Sequence, residues 1–151
     1  YTAKFDTTYA PGELIAIGYR DGHETQRTTL VSAGGEVALR AEVDRIQIRA
    51  DDTDLAYVAI SLVDAHGVVH NGRDRMVTAT MEGPGVLQGF GSADPAPVES
   101  FDDAARTTFD GRALAVVRPT GAGRITVSLS AEGCTPVSVV IEAVGNGDMS
   151  A

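Results

Sequence analysis

Several side chains in this sequence could do chemistry, but few stand at the spacings a reaction requires. His66 and His70 are four apart. A zinc protease needs such a pair on one helix face, with a glutamate beside the first histidine. Here Gly67-Val68-Val69 lies between them, so they read as solvated histidines around a β turn. His23 stands beside Asp21-Gly22 with no partner close in sequence. Asp51-Asp52-Thr53-Asp54 looks like the opening of a calcium loop, yet an EF-hand needs glycine at its sixth position and glutamate at its twelfth. Counted from Asp52, the sixth residue is Tyr57. The segment is expected to be a polar turn whose carboxylates accept neighbouring backbone N–H groups, with structural Ca²⁺ as the alternative.

Other constellations fail on context. Gly89-Phe90-Gly91-Ser92-Ala93-Asp94-Pro95 has the glycines of a phosphate cradle, but no helix pattern follows to supply the N–H groups. A Gly-x-Ser-x-Gly nucleophile elbow is absent. A glycosidase pair could be drawn from Glu82, Glu99 or Asp102, but such a pair needs a fixed separation across a cleft and one raised pKa. The lone Cys134, in Glu132-Gly133-Cys134-Thr135-Pro136, excludes an internal disulfide and a cysteine zinc site within this chain. It is expected to be a half-buried small side chain. Its use leaves the compartment open, cytoplasmic or secreted, with a lean towards a reducing one. No catalytic, cofactor-binding or metal site is expected.

Composition narrows the partners. The 151 residues include 12 basic and 21 acidic ones, a formal charge of −9. Nucleic-acid binding needs a basic face that releases counterions, so this balance argues against it. No run approaches the length of an apolar membrane span. At 43% hydrophobic the chain can build a core, while 5% aromatics without Trp make an aromatic sugar platform improbable. The chain starts with Tyr1, not Met, and is expected to be an excised piece of something longer.

The elements that must position any site are strands. Leu14-Ile15-Ala16-Ile17-Gly18-Tyr19 alternates with period two, and Asp21-Gly22 supplies the hairpin turn to a second arm, His23 to Ser32. Further strand patterns are Val37–Ala41, Ile46–Arg49, Leu55–Val63, Val77–Met81, Val86–Phe90, Ala113–Val117, Ile125–Leu129 and Val137–Val144. Asp64-Ala65-His66-Gly67 is expected to turn the chain back towards Val68-Val69, and Gly121-Ala122-Gly123 to make a plain hairpin turn. Only Val98 to Ala105 lacks a strand pattern; its acidic residues suit a short helical turn. Strand spacing of about ten residues, punctuated by Gly, Pro and Asp, predicts an all-β, immunoglobulin-like antiparallel β-sandwich preceded by a β-hairpin. Residues 1–34 read as the terminal hairpin of a preceding β-domain plus linker, 35–145 as the sandwich and 146–151 as a tail. A lone hairpin cannot bury both faces. Residues 1–34 carry −1 and the remainder −8, so the acidity belongs to the sandwich.

Longer stretches resemble a known family. Tyr9-Ala10-Pro11-Gly12-Glu13-Leu14 through Tyr19-Arg20-Asp21-Gly22 is similar to the Tyr-x-Pro-Gly-Glu-Leu … Tyr-x-Asp-Gly stretch of bacterial glycoside hydrolase family 2 β-galactosidases. Asp54-Leu55-Ala56-Tyr57-Val58, Val63-Asp64-Ala65-His66-Gly67, Glu82-Gly83-Pro84-Gly85 and Phe109-Asp110-Gly111-Arg112-Ala113-Leu114 follow in the order of that family's next, Ig-like domain. Ser92 and Ala93 depart from the family's Gly-Asn-Gly-Asp-Pro loop and Val98 replaces its His, while Asp94, Pro95, Glu99 and Phe101 remain. A left-handed backbone at Ala93 is costly, so this loop is expected to be built differently.

The resemblance implies a non-catalytic C-terminal domain of a β-galactosidase-like enzyme. Its acid/base and nucleophile would lie in an upstream (β/α)₈ barrel. The implied partners are that barrel and the β-domains of the same chain, with a homo-oligomer as a further option. Ser92 to Thr108 reads as a long irregular loop, and long loops commonly carry function. Asp94, Pro95, Pro97 and Phe101 are its candidate interface residues. The alternatives are a carbohydrate-binding module, with Tyr9, Tyr57, Phe90 and Phe109 as candidate platform rings, and a cell-surface adhesin-type Ig-like repeat.

Overall fold

Alternation along the sequence becomes alternation between inward and outward side chains. The computed structural model describes residues 2–145, and the tail expected at 146–151 lies outside them. Strand β1 (Glu13–Arg20) pairs antiparallel with β2 (His23–Val31) through Asp21 and Gly22, whose φ angles are 50° and 80°. Two positive φ values in succession are what a tight hairpin turn needs, and Asp-Gly tolerates them. Every residue of the ribbon is exposed, because two strands alone enclose nothing.

The remaining strands are β3 (Ala38–Val43), β4 (Gln47–Arg49), β5 (Ala56–Val63), β6 (Met76–Glu82), β7 (Gly85–Gly91), β8 (Ala105–Thr107), β9 (Arg112–Pro119), β10 (Gly123–Ala131) and β11 (Val137–Val144). They form a five-stranded sheet of order β4-β11-β10-β6-β8 and a four-stranded sheet of order β3-β5-β9-β7. Among the described residues only β4 and β11 pair in parallel. Between the sheets lie Val58, Ile60 and Leu62 of β5, Ala115 and Val117 of β9, Val77 of β6, Ile125, Val127 and Leu129 of β10, and Phe90 of β7. Burying each aliphatic or Phe side chain of this kind contributes roughly 1.5–3 kcal/mol.

Glycine and proline steer the chain between layers. Gly83-Pro84-Gly85 carries it from β6 in one sheet to β7 in the other, the crossing that its breaker residues suggest. Gly83 has φ +97°, and a Cβ there would run into the Arg124 carbonyl. Gly121-Ala122-Gly123 does not make a hairpin: β9 and β10 belong to opposite sheets, so this turn is a second crossing. Period-two patterning tells each strand which side is inward, and both sheets satisfy it equally, so the sequence could not assign the partner.

Three further expectations are corrected. Val98 to Ala105 contains no helical turn; it is turn and bend until Ala105 starts β8, whose backbone pairs with β6. The acidic residues there serve side-chain-to-backbone contacts instead, as with the Asp103 carboxylate accepting from Ser100 N–H at 2.9 Å. The irregular span thus ends before β8 and not at Thr108. His70 is buried, not solvated, with Nε2 3.5 Å from the Glu36 carbonyl; His66 is exposed. The turn expected at Asp64-Ala65-His66-Gly67 does bring the chain back, with Val69 bridging antiparallel to Val63.

Carboxylates organise the turns. Asp64 accepts backbone N–H groups from Gly34, His66 and Val68 at 3.1, 2.8 and 2.9 Å, tying the linker after β2 to the β5 turn. The Val68 bond, then those from Gly34 and His66, outweigh burial and hold its carboxyl below the usual range. Asp51 Oδ1 accepts from the Thr53 hydroxyl and from the N–H groups of Thr53 and Asp54. This is the polar turn expected at 51–54.

Candidate functional site

The loop from Ser92 to Ala104 joins β7, an edge strand of the four-stranded sheet, to β8, an edge strand of the five-stranded sheet. Two exposed edges on one side of a sandwich are a liability, since unpaired N–H and C=O groups recruit other strands. The loop and one side chain close them. Phe90 N–H donates to the Phe101 carbonyl at 2.7 Å. Arg106, from β8, donates through Nε to the Phe90 carbonyl at 2.8 Å and through Nη2 to the Ser100 carbonyl at 2.8 Å. Glu99 accepts the Thr107 N–H at 3.1 Å. Both backbone groups of Phe90 that face away from β9 are therefore engaged.

Arg106 is fully buried, the largest such side chain in the described residues. Its guanidinium stands 4.8 Å from the centroid of the Phe101 ring and its Nη1 lies 3.7 Å from Glu99 Oε2. Nη1 itself has no hydrogen-bond partner, nor does the buried hydroxyl of Ser92. Side-chain and backbone hydrogen bonds from Thr107, with the Arg106 charge adding to them, hold the Glu99 carboxyl below its ordinary range. A buried charge survives only when paired and hydrogen-bonded, and here two carbonyls, a carboxylate and a ring face supply that.

Above this anchor the Phe101 ring lies over Gly91. A Cβ on Gly91 would sit 2.9 Å from the ring, so the close approach depends on glycine. Phe101 remains 57% exposed and walls a groove of about 500 Å³ that continues along Gly89, Leu114 and Val116 to Arg112. Of the candidate interface residues, Phe101 alone lines this groove. Asp94 caps its own turn, accepting Ala96 N–H at 2.9 Å, while Pro95 is exposed and Pro97 half-buried elsewhere in the loop. Ala93 does not take a positive φ, so the loop is indeed built without the left-handed residue.

Catalytic geometry is lacking among the described residues. No acidic residue lines the groove. A second cleft, between the ribbon base and the sandwich, holds Glu13, Glu36 and Asp64, but Asp64 is already ionised and saturated with N–H donors. Asp64 in that cleft, and Asp44, Asp51 and Glu99 elsewhere, are all shifted downward, whereas a general acid needs the opposite. No group of three or more metal-ligating side chains occurs among these residues. Of the candidate platform rings, Phe90 is fully buried, Phe109 half-buried, and Tyr57 and Tyr9 exposed on separate parts of the chain.

Sequence reasoning missed Arg106. It follows Asp102 and Asp103 and so reads as a surface counter-charge. The available signal was its solitude: between residues 76 and 111 it is the only basic residue among six acidic ones.

Comparison with known proteins agrees with this frame. The chain is 27% identical over 136 residues to the β-galactosidase BoGH2A of Bacteroides ovatus, covering 89% of this chain and 16% of that protein. It superposes on a glycosyl hydrolase family 2 member from Bacteroides cellulosilyticus with a TM-score of 0.85 and 36% identity, over 90% of this chain and 18% of that one. A family 2 β-glucuronidase shares the fold, with a TM-score of 0.81 at 23% identity over 92% of this chain and 15% of its own. This chain therefore spans less than a fifth of each relative's length. The family model for the glycoside hydrolase family 2 C-terminal domain 5 matches residues 39–140, nearly the whole sandwich, and the chain belongs to that family.

Proposed function

We propose that this β-sandwich serves a larger family 2 glycoside hydrolase as a non-catalytic packing domain, held against the enzyme body that carries the active site. The parent is a retaining hydrolase of β-linked galactosides or glucuronides. One observation carries the reading: a β-galactosidase and a family 2 glycosidase each contain this region as under a fifth of their length. Two structural features support it. The lowered carboxyls of Asp44, Asp51, Asp64 and Glu99 are poor general acids, and no acidic residue lines the groove beside Phe101. The β1–β2 ribbon leaves Leu14, Tyr19 and Leu30 more than half exposed, as a hairpin does when its own sheet lies in a neighbouring domain. Residues 1–34 are accordingly the end of a preceding β-domain and its linker. Asp94, Pro95, Pro97 and Phe101 belong to the contact region, with Phe101 its apolar anchor.

The test is an activity comparison. The 151-residue chain is expected to give no turnover of a nitrophenyl β-galactoside, while the full enzyme turns over and loses heat resistance when Phe101→Ala is introduced. Turnover by the chain alone, or a full enzyme whose melting and assembly ignore the substitution, would overturn the reading.

A further inference from the structure

The two outer faces of the sandwich differ in composition. The five-stranded sheet presents Thr78, Thr80, Thr126, Ser128, Ser130 and Ser138, with Ser128 and Ser138 hydroxyls 2.9 Å apart, and among these polar side chains Met76 is exposed at one end and Val140 half-buried. Hydroxyls on a pleated surface are content in water. The four-stranded sheet instead presents Tyr57, Ala59, Val86, Leu114 and Val116, with Phe101 laid over its edge. Contiguous exposed apolar surface of this kind marks an interaction site more often than chance. Aromatic and arginine side chains are also the ones enriched where proteins meet.

We infer that the outer face of the β3-β5-β9-β7 sheet is the docking face, and that its occupant is an apolar surface bearing a carboxylate on the remaining chain of the same enzyme. The inference deepens the packing-domain reading above and rests on it. Charge selects the occupant. Residues 35–145, the sandwich, have 9 basic and 16 acidic side chains, a net charge of −7, yet the outward positions of these four strands hold Arg40, Arg112 and Arg118 against Glu42 alone. Arg40 is paired with Glu42, and Arg118 with Asp52. Arg112, at the groove's end, bonds Asn71 Oδ1 and the Asp110 carbonyl, and among the described residues meets no carboxylate. A two-fold contact of this face with a second copy would set arginine against arginine. An apolar side chain entering beside Phe101, with an acid reaching Arg112, satisfies both features at once. Most of each relative's length lies outside the matched part and can supply such a surface. Arg106 makes the face ready: by fixing the loop beforehand it lowers the ordering cost of association.

Thiol accessibility in the full-length enzyme tests the inference. Leu114→Cys and Ala59→Cys report on the proposed face and Thr80→Cys on the hydroxyl face, each in a Cys134→Ala background. Modification by N-ethylmaleimide is followed position by position with peptide mass spectrometry. At Leu114→Cys and Ala59→Cys, labelling at least about tenfold slower than at Thr80→Cys is expected, unchanged on hundredfold dilution of the enzyme. Slow labelling at Thr80→Cys alone overturns the choice of face and leaves the packing-domain reading standing. Slow labelling on both faces overturns the face preference. Fast labelling on both overturns the packing-domain reading and the inference with it. Protection that dilution removes assigns the face to a second copy and overturns the occupant.

Discussion

Replacing Arg106 should destabilise the sandwich more than any other single change of a charged residue. Its Nε and Nη2 each donate to a carbonyl at 2.8 Å, Phe90 and Ser100 respectively. Hydrogen bonds from a charged donor contribute about 1.5–3 kcal/mol each, and a buried acceptor left bare costs about 1–3 kcal/mol. Against these stands the desolvation of a guanidinium with zero exposure, several kcal/mol, which the native pair already bears. Arg106→Ala removes the donors and opens a cavity, so a loss of about 3–4 kcal/mol is expected, while the shape-matched Arg106→Met regains some packing and should lose about 2 kcal/mol. Arg106→Lys keeps the charge but reaches one carbonyl instead of two, and should fall near Met. Urea unfolding measures these differences. Amide exchange gives a sharper reading, because Phe90 N–H is held by the Phe101 carbonyl on the same loop. Its exchange should quicken about tenfold or more in the variants while amides of β10 respond only to the global loss. An Arg106→Met protein as stable as the parent, with Phe90 exchange unchanged, would refute the claim that this side chain closes the edge.

Two other perturbations probe separate parts of the fold. Gly83→Ala must hold φ near +97° and push its Cβ against the Arg124 carbonyl, so it should lose about 2–4 kcal/mol in denaturant unfolding; a loss under about 1 kcal/mol would show that the crossing can relax. Acid titration tests the turn carboxylates. Asp64, Asp51, Asp44 and Glu99 all have folded pKa values below their unfolded ones, so their stabilisation is complete above the ordinary carboxyl range and disappears as pH falls through the lowered values. For Asp44, burial pushes upward and the Tyr57 N–H and Arg45 overcome it. The unfolding midpoint should be flat from about pH 5 to 7 and drop below about pH 4. Asp64→Asn should be weaker at neutral pH and show a shallower acid drop; an unchanged slope would remove Asp64 from the account.

Strand placement was legible wherever period two persisted. Val137–Val144 matches β11 residue for residue, and the Asp-Gly pairs at 21–22 and 110–111 carry the positive φ values their chemistry suggests. What escaped was information carried by partners instead of neighbours. β8 is three residues long, too short for alternation to register, and it forms because β6 offers it a ladder. The turn at 121–123 has the composition of a hairpin, and only the sheet that β10 joins makes it a crossing. Arg106 belongs to the same class. An arginine three and four residues after two aspartates is a surface residue by every local rule, and becomes interior because two strand edges converge on it. The loop was legible as irregular and its Phe101 as prominent, but the groove depends on Gly91 lying beneath the ring, a pairing ten residues apart in sequence.

The position of β11 bears on how the molecule comes into being. It sits between β4 and β10, yet it is the last strand made among the described residues. During synthesis the ribosome releases β4 and β10 with a vacant slot between them. The larger sheet stays open until Val137 to Val144 have cleared the exit tunnel. A stall or truncation before residue 137 would therefore leave two sticky ladders facing an empty lane.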